Sequence, residues 1–215
     1  MLKIYGGNLS SFCNKVRLVA NAIGLEYEYK KINFKEREHK APDFLKMHPA
    51  GKIPIIDDDG FFVFESNAII KYLAEKNNSS LYPKELKQKT QVDQWIDFCS
   101  FHVGNAMDKI LFNKVFAPRI KVTIDERAIQ DGYMFLNRYL PVIEEQIGRD
   151  GFLVGKKMTL ADVNCLAILD PCEIADVDLS AYNNIVQWRE DLKKQDFYTK
   201  CHKEYGESLL RMTKS

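Results

Sequence analysis

The stretch "MLKIYGGNLSSFCNKVRLVANAIGLEYEYKKIN", residues 1–33, decides the fold. "LKIYGG" is a short apolar run ending in glycines, and its pattern predicts a strand. Val16, Leu18, Val19, Ala22 and Ile23 then recur at helical spacing, and Gly24 stands where a helix C-terminal cap is expected. "EYEYKKIN" alternates and is rich in β-formers, so a second strand follows. A strand, a helix and a strand in so short a space predict a compact α/β unit.

Working outward, "EREHKAPDFLKMHPAG" (36–51) is polar and irregular, with at most a short helix around Phe44 to Met47. "IPIIDDDGFFVFES" (53–66) reads as two strands about an Asp-Gly turn. "NAIIKYLAEK" (67–76) is a helix. The predicted order is β-α-β-loop-β-β-α over residues 1–78. A polar, proline-containing linker is expected at 79–87. Residues 88–215 show no strand pattern. Amphipathic runs at 91–116, 124–148, 159–175 and 185–197 predict an all-α domain, with Pro141 expected to bend the second helix.

Bulk properties narrow the function. A net charge of +1 gives no electrostatic case for nucleic acid or for an anionic lipid surface. No apolar run is long enough to span a membrane, and the start lacks a signal-peptide pattern, so a cytoplasmic protein is expected. Five scattered cysteines, Cys13, Cys99, Cys165, Cys172 and Cys201, fit free thiols in a reducing compartment. The histidines are dispersed, and no metal site is expected.

Ser10 precedes the first helix, and Cys13 lies three residues on. Ser10 is therefore either a plain N-cap or a hydroxyl held at a helix N-terminus for chemistry. Ser11 and Tyr5 are rival hydroxyls. Cys13 is a third rival, although its position predicts a buried, apolar role. In "ESNAII", Ser66 reads as a cap with Glu65 at the positive helix end; the same groups also suit a ligand carboxylate. "TLADV" reads as a capping box, with Thr159 at the N-cap and Asp162 reaching back.

Four blocks, "SSFCNKVRL", "EHKAPDFLKMHPAGKIPIIDDDG", "FESNAIIKYLAEK" and "FLVGKKMTLADV", occur in an order that resembles the cytosolic glutathione transferases over nearly the whole chain. Their motifs look like the serine-type theta and phi groups or unassigned classes. The resemblance implies a thioredoxin-like N-terminal domain that binds glutathione, and an all-α helical C-terminal domain contributing the electrophile site. It implies that Ser10 is the catalytic hydroxyl, donating to the sulfur of glutathione, the co-substrate. It implies a cis Ile53–Pro54 bond, with the Ile53 backbone pairing with the cysteinyl part of glutathione. Glu65 and Ser66 would hold its α-amino-acid end, and His39, Lys40 and Lys52 would approach the glycyl carboxylate. The second substrate would be a hydrophobic electrophile, with Phe98, His102, Phe112 and Phe116 as candidate lining residues. A homodimer is implied, with no nucleic-acid or membrane partner. Glutathione-dependent peroxidase, isomerase or dehalogenase chemistry, and a non-catalytic binding module, are the alternatives.

Overall fold

The structure is a computed structural model that describes residues 1–203, 205–207 and 209. The chain forms two compact units. One combines residues 1–82 with the segment from Asp196 onward, and the other runs from Pro83 to Gln195. The end of the predicted helical domain, at 215, lies outside the described residues.

In the first unit, β1 (Lys3–Gly6) is followed by α1 (Ser11–Ala22) and β2 (Glu28–Lys31). Next come α2 (Pro42–Met47), β3 (Ile55–Asp58), β4 (Phe61–Phe64) and α3 (Ser66–Lys76). The sheet order is β2-β1-β3-β4. β1 pairs parallel with β2, aligning Ile4 with Tyr29, and antiparallel with β3, aligning Tyr5 with Ile55. This is the expected thioredoxin-like arrangement. Ile4 on β1, Val16 and Val19 on α1, Ile55 and Ile56 on β3, and Ile69 and Ile70 on α3 are fully buried and form the core. The β3–β4 turn carries Asp59 and Gly60 at φ 52° and 91°, the left-handed pair that a tight hairpin turn requires.

The second unit is helical among its described residues. It comprises α4 (Leu86–Phe98), α5 (Asn105–Leu111), α6 (Ala117–Ile120), α7 (Glu126–Asp150), α8 (Leu160–Leu169) and α9 (Asn183–Lys193). Two π-helical turns, Cys99–Gly104 and Phe112–Phe116, join α4 to α5 and α5 to α6, so the predicted single helix carries two local widenings. α4 also starts earlier than its apolar pattern, at Leu86, because the Glu85 carboxylate accepts the N–H groups of Lys87 and Gln88. Pro141 lies inside α7 without ending it. Among the described residues, no helix is long and apolar enough to cross a membrane.

α8 is buried along its entire length. The expected capping box is present: Asp162 accepts from the Thr159 N–H at 2.8 Å and the Thr159 hydroxyl at 2.9 Å. Its other oxygen accepts the Leu153 N–H at 2.9 Å, tying the preceding loop to the helix. Burial pushes the Asp162 carboxyl up to about 6, with these donors acting in the opposite sense.

The chain then returns to the first unit. α10 (Asp196–Thr199) and the residues after it pack on α1. Arg17 donates to the Cys201 carbonyl at 2.9 Å, and Asn21 to the Phe197 carbonyl at 3.0 Å.

Candidate active site

The loop from Gly7 to Ser10 leaves β1 and enters α1. Its three carbonyls before Ser10 each accept a hydrogen bond. The Ser10 N–H donates to Gly7 at 3.0 Å, the Asn14 side chain to Asn8 at 2.9 Å, and the Tyr205 hydroxyl to Leu9. Ser10 is the N-cap of α1, with extended backbone and its hydroxyl oxygen accepting the Cys13 N–H at 3.3 Å. A hydroxyl that accepts one N–H still has its own proton to donate. Ser11 is the first helical residue and is buried; Tyr5 is half-buried on β1. Burial pushes the Cys13 thiol up to about 11, which keeps it from serving as a thiolate at neutral pH.

The Ile53–Pro54 bond is cis. Ile53 lies beside the Ser10 loop: a Cβ built on Gly7 would be 3.4 Å from Ile53 Cδ1. Glu65 occupies the N-cap position of α3 at φ 68° and ψ 111°, a sparsely populated conformation for a residue with a side chain. Ser66 is therefore the first helical residue, one position later than the cap expected from the sequence. Its side chain is buried rather than turned back on the helix end, and its oxygen accepts from Lys15 Nζ at 3.2 Å. The Lys15 ammonium also donates to Asn67 Oδ1 at 2.7 Å. Sequence reasoning passed over Lys15, although a lysine three and four residues before Leu18 and Val19 falls on the buried stripe of α1.

His39 and Lys40 form a 3-10 turn with Glu38. Gly51, at φ 62°, lets the 51–52 backbone pass close to them, since a Cβ there would lie 2.4 Å from the His39 carbonyl. His39, Lys40 and Lys52 are thus neighbours. Lys40 and Lys52 are exposed, and the His39 ring leans on Phe34 at 4.7 Å. No hydrogen bond or ion pair among the described residues joins these three residues to Ser10 or Ser66. A second histidine, His48, is buried against Phe64, and its Nδ1 accepts the Ala50 N–H at 3.2 Å. Burial holds its pKa below the usual imidazole value. In the second unit, Phe98 and His102 meet edge-on at 5.2 Å and share Tyr139, while no ring contact among the described residues joins them to Phe112 or Phe116.

Residues 1–75 match the family model of the glutathione S-transferase N-terminal domain, and residues 110–196 match that of the C-terminal domain. The chain belongs to the glutathione S-transferase family. This transferase is 30% identical over 198 residues to glutathione S-transferase 1 of Zea mays, covering 90% of the chain and 92% of that relative. It is 31% identical over 199 residues to the probable glutathione S-transferase GSTF2 of Oryza sativa subsp. japonica, covering 89% of the chain and 91% of that relative. Among solved structures, the transferase resembles glutathione transferase F7 from Populus trichocarpa at TM-score 0.87 and 26% identity, over 94% of this chain and 97% of that one. It also resembles a glutathione S-transferase-I bound with lactoylglutathione, at TM-score 0.86 and 28% identity, over 93% and 97% of the two chains.

Proposed function

We propose that this transferase conjugates the glutathione thiolate to hydrophobic electrophiles. The observation that carries this reading is Ser10 at the start of α1, beside the cis Ile53–Pro54 turn. The Ser10 hydroxyl, keeping its proton, donates a hydrogen bond to the thiolate sulfur, and the α1 N-terminus adds its positive end. The Ile53 backbone pairs with the cysteinyl unit as one strand edge pairs with another. Ser66 and the α3 N-terminus hold the α-carboxylate, and Glu65 holds the α-ammonium. His39, Lys40 and Lys52 attract the glycyl carboxylate. The helical domain, assigned to 88–215, supplies the electrophile site, with Phe98 and His102 as aromatic lining. The bound lactoylglutathione of a similar protein supports a glutathione-shaped site. Five buried free thiols support a reducing, cytoplasmic setting.

The test is a turnover panel with glutathione and aryl halides, isothiocyanates and organic hydroperoxides. Turnover of the first two is expected. Activity confined to hydroperoxides would assign a peroxidase, and no turnover with any of them would leave a binding module. Calorimetric titration is expected to show micromolar-to-millimolar glutathione binding. Ser66→Ala is expected to weaken it by roughly 1–3 kcal/mol, because a buried carboxylate loses a charge-assisted donor.

We further propose an isologous homodimer, in which the first domain of each subunit faces the second domain of the other. Phe61, Phe62 and Phe64 stand exposed on the edge strand β4, and such an edge is normally covered. Light scattering at micromolar concentration is expected to give twice the 24.9 kDa chain mass. A value at the chain mass would contradict the dimer.

A further inference from the structure

We propose that Lys15 is a positioning residue for glutathione, setting the strength with which Ser66 grips the α-carboxylate; this rests on the assignment of that carboxylate to Ser66. Lys15 is 1% exposed, on a helix whose other buried residues are mostly small or apolar. Its ammonium bridges two helices, reaching from α1 to Ser66 Oγ at 3.2 Å and Asn67 Oδ1 at 2.7 Å on the first turn of α3. It also lies 5.5 Å from the centroid of the Phe12 ring.

The geometry has two consequences. A serine oxygen that accepts from an ammonium has one lone pair occupied, so its proton points away from the lysine. Charge on the donor polarises the hydroxyl and strengthens the bond it makes in turn. The cation itself sits one side chain behind the carboxylate position, in a setting shielded from water. Attraction between charges there is stronger than on the surface. The lysine therefore acts on the ligand through Ser66, and also through space.

A brace between two helices does not require a charge. Replacing buried ionic groups by apolar ones of similar volume is often neutral or stabilising. A buried ammonium pointed at the candidate carboxylate site is what recognition of an anion would retain.

The experiment compares two ligands on wild type and Lys15→Met. One is glutathione; the other is its analogue with the γ-glutamyl α-carboxylate converted to a carboxamide. Wild type is expected to prefer glutathione strongly. In Lys15→Met the glutathione dissociation constant is expected to rise about tenfold, equivalent to about 1.4 kcal/mol, with the amide affinity nearly unmoved. The kinetic loss is expected mainly in KM for glutathione. Equal weakening of both ligands would reveal general damage to the site and overturn the proposal, as would an unchanged preference. If Lys15→Met does not fold, Lys15→Gln removes the charge and keeps a donor; failure of both to fold would make Lys15 a structural brace and also overturn it. Absence of glutathione binding by wild type would instead sink the assignment of Ser66, and the role of Lys15 with it.

Discussion

Ser10→Ala is expected to lower turnover at neutral pH by tens-fold or more while the fold survives. Glutathione's thiol in water is an ordinary one, with a pKa near ~8.5, so only a few per cent is ionised at neutral pH. Lowering that value by about 2 units requires roughly 2.7 kcal/mol of preference for the thiolate. One charge-assisted donor at a helix N-terminus supplies an energy of this order. Removing the hydroxyl also removes the N-cap of α1, at a cost of about 1 kcal/mol. The loop keeps its shape because its carbonyls are held by other donors: the Ser10 backbone N–H, Asn14 and Tyr205. Glutathione affinity is expected to stay nearly constant, since its carboxylates and backbone dominate binding. The measurement is thiolate absorbance of bound glutathione against pH, for wild type, Ser10→Ala, Ser11→Ala and Tyr5→Phe. The curve is expected to move up toward the free thiol value in Ser10→Ala alone. A shift in Ser11→Ala or Tyr5→Phe with none in Ser10→Ala would make Ser10 only a cap.

The second large effect concerns stability. Asp162→Ala leaves three donors without an acceptor: the Leu153 N–H, the Thr159 N–H and the Thr159 hydroxyl. At about 1–3 kcal/mol for each buried donor left unmade, with partial relaxation, a loss of about 3–5 kcal/mol is expected. That is a large fraction of the roughly 5–15 kcal/mol by which proteins are stable. Urea denaturation is the readout, and a loss below about 1 kcal/mol would show that the box is dispensable. Asp162→Asn adds a test of charge. The folded carboxyl is raised to about 6, above its ordinary value near ~3.9 in an unfolded chain. Between these values the folded chain holds the extra proton. The stabilisation from that proton is full at low pH and lost as pH rises through about 6. The stability gap between wild type and Asp162→Asn is therefore expected to narrow from about pH 4 to about pH 7. A gap that widens would mean the three donors outweigh burial.

Much of this architecture is legible in the sequence because it rests on local rules. Alternation marks β2, the Asp59–Gly60 pair marks the hairpin, and the Thr159 to Asp162 spacing marks the start of α8. The candidate site is legible in its residue types but not in its geometry. The sequence suggests Ser66 as a cap, but the unusual backbone of Glu65 shifts the helix start by one residue, and tertiary packing fixes such a conformation. Lys15 is a surface residue by type, and its partners on α3 lie far along the chain, out of reach of a local pattern. The start of α4 escapes a periodicity argument because its first turn, with Lys87, Gln88 and Lys89, has no apolar repeat beyond Leu86. The π-helical turns leave the apolar spacing nearly intact, and so leave little trace in it.

The return of the chain at Asp196 affects how the protein is made. Residues 1–82 leave the ribosome before residues 83–195, and an earlier-made domain ordinarily folds as it emerges. Here the partners of Arg17, Asn21 and Leu9 are Cys201, Phe197 and Tyr205, which are translated only after all of 83–195. Of the two units, the one begun earlier is thus finished later. A nascent chain arrested before Asp196 carries a Ser10 loop that still lacks one of its fastenings, so the order of translation defers completion of that loop until all of 83–195 has been made.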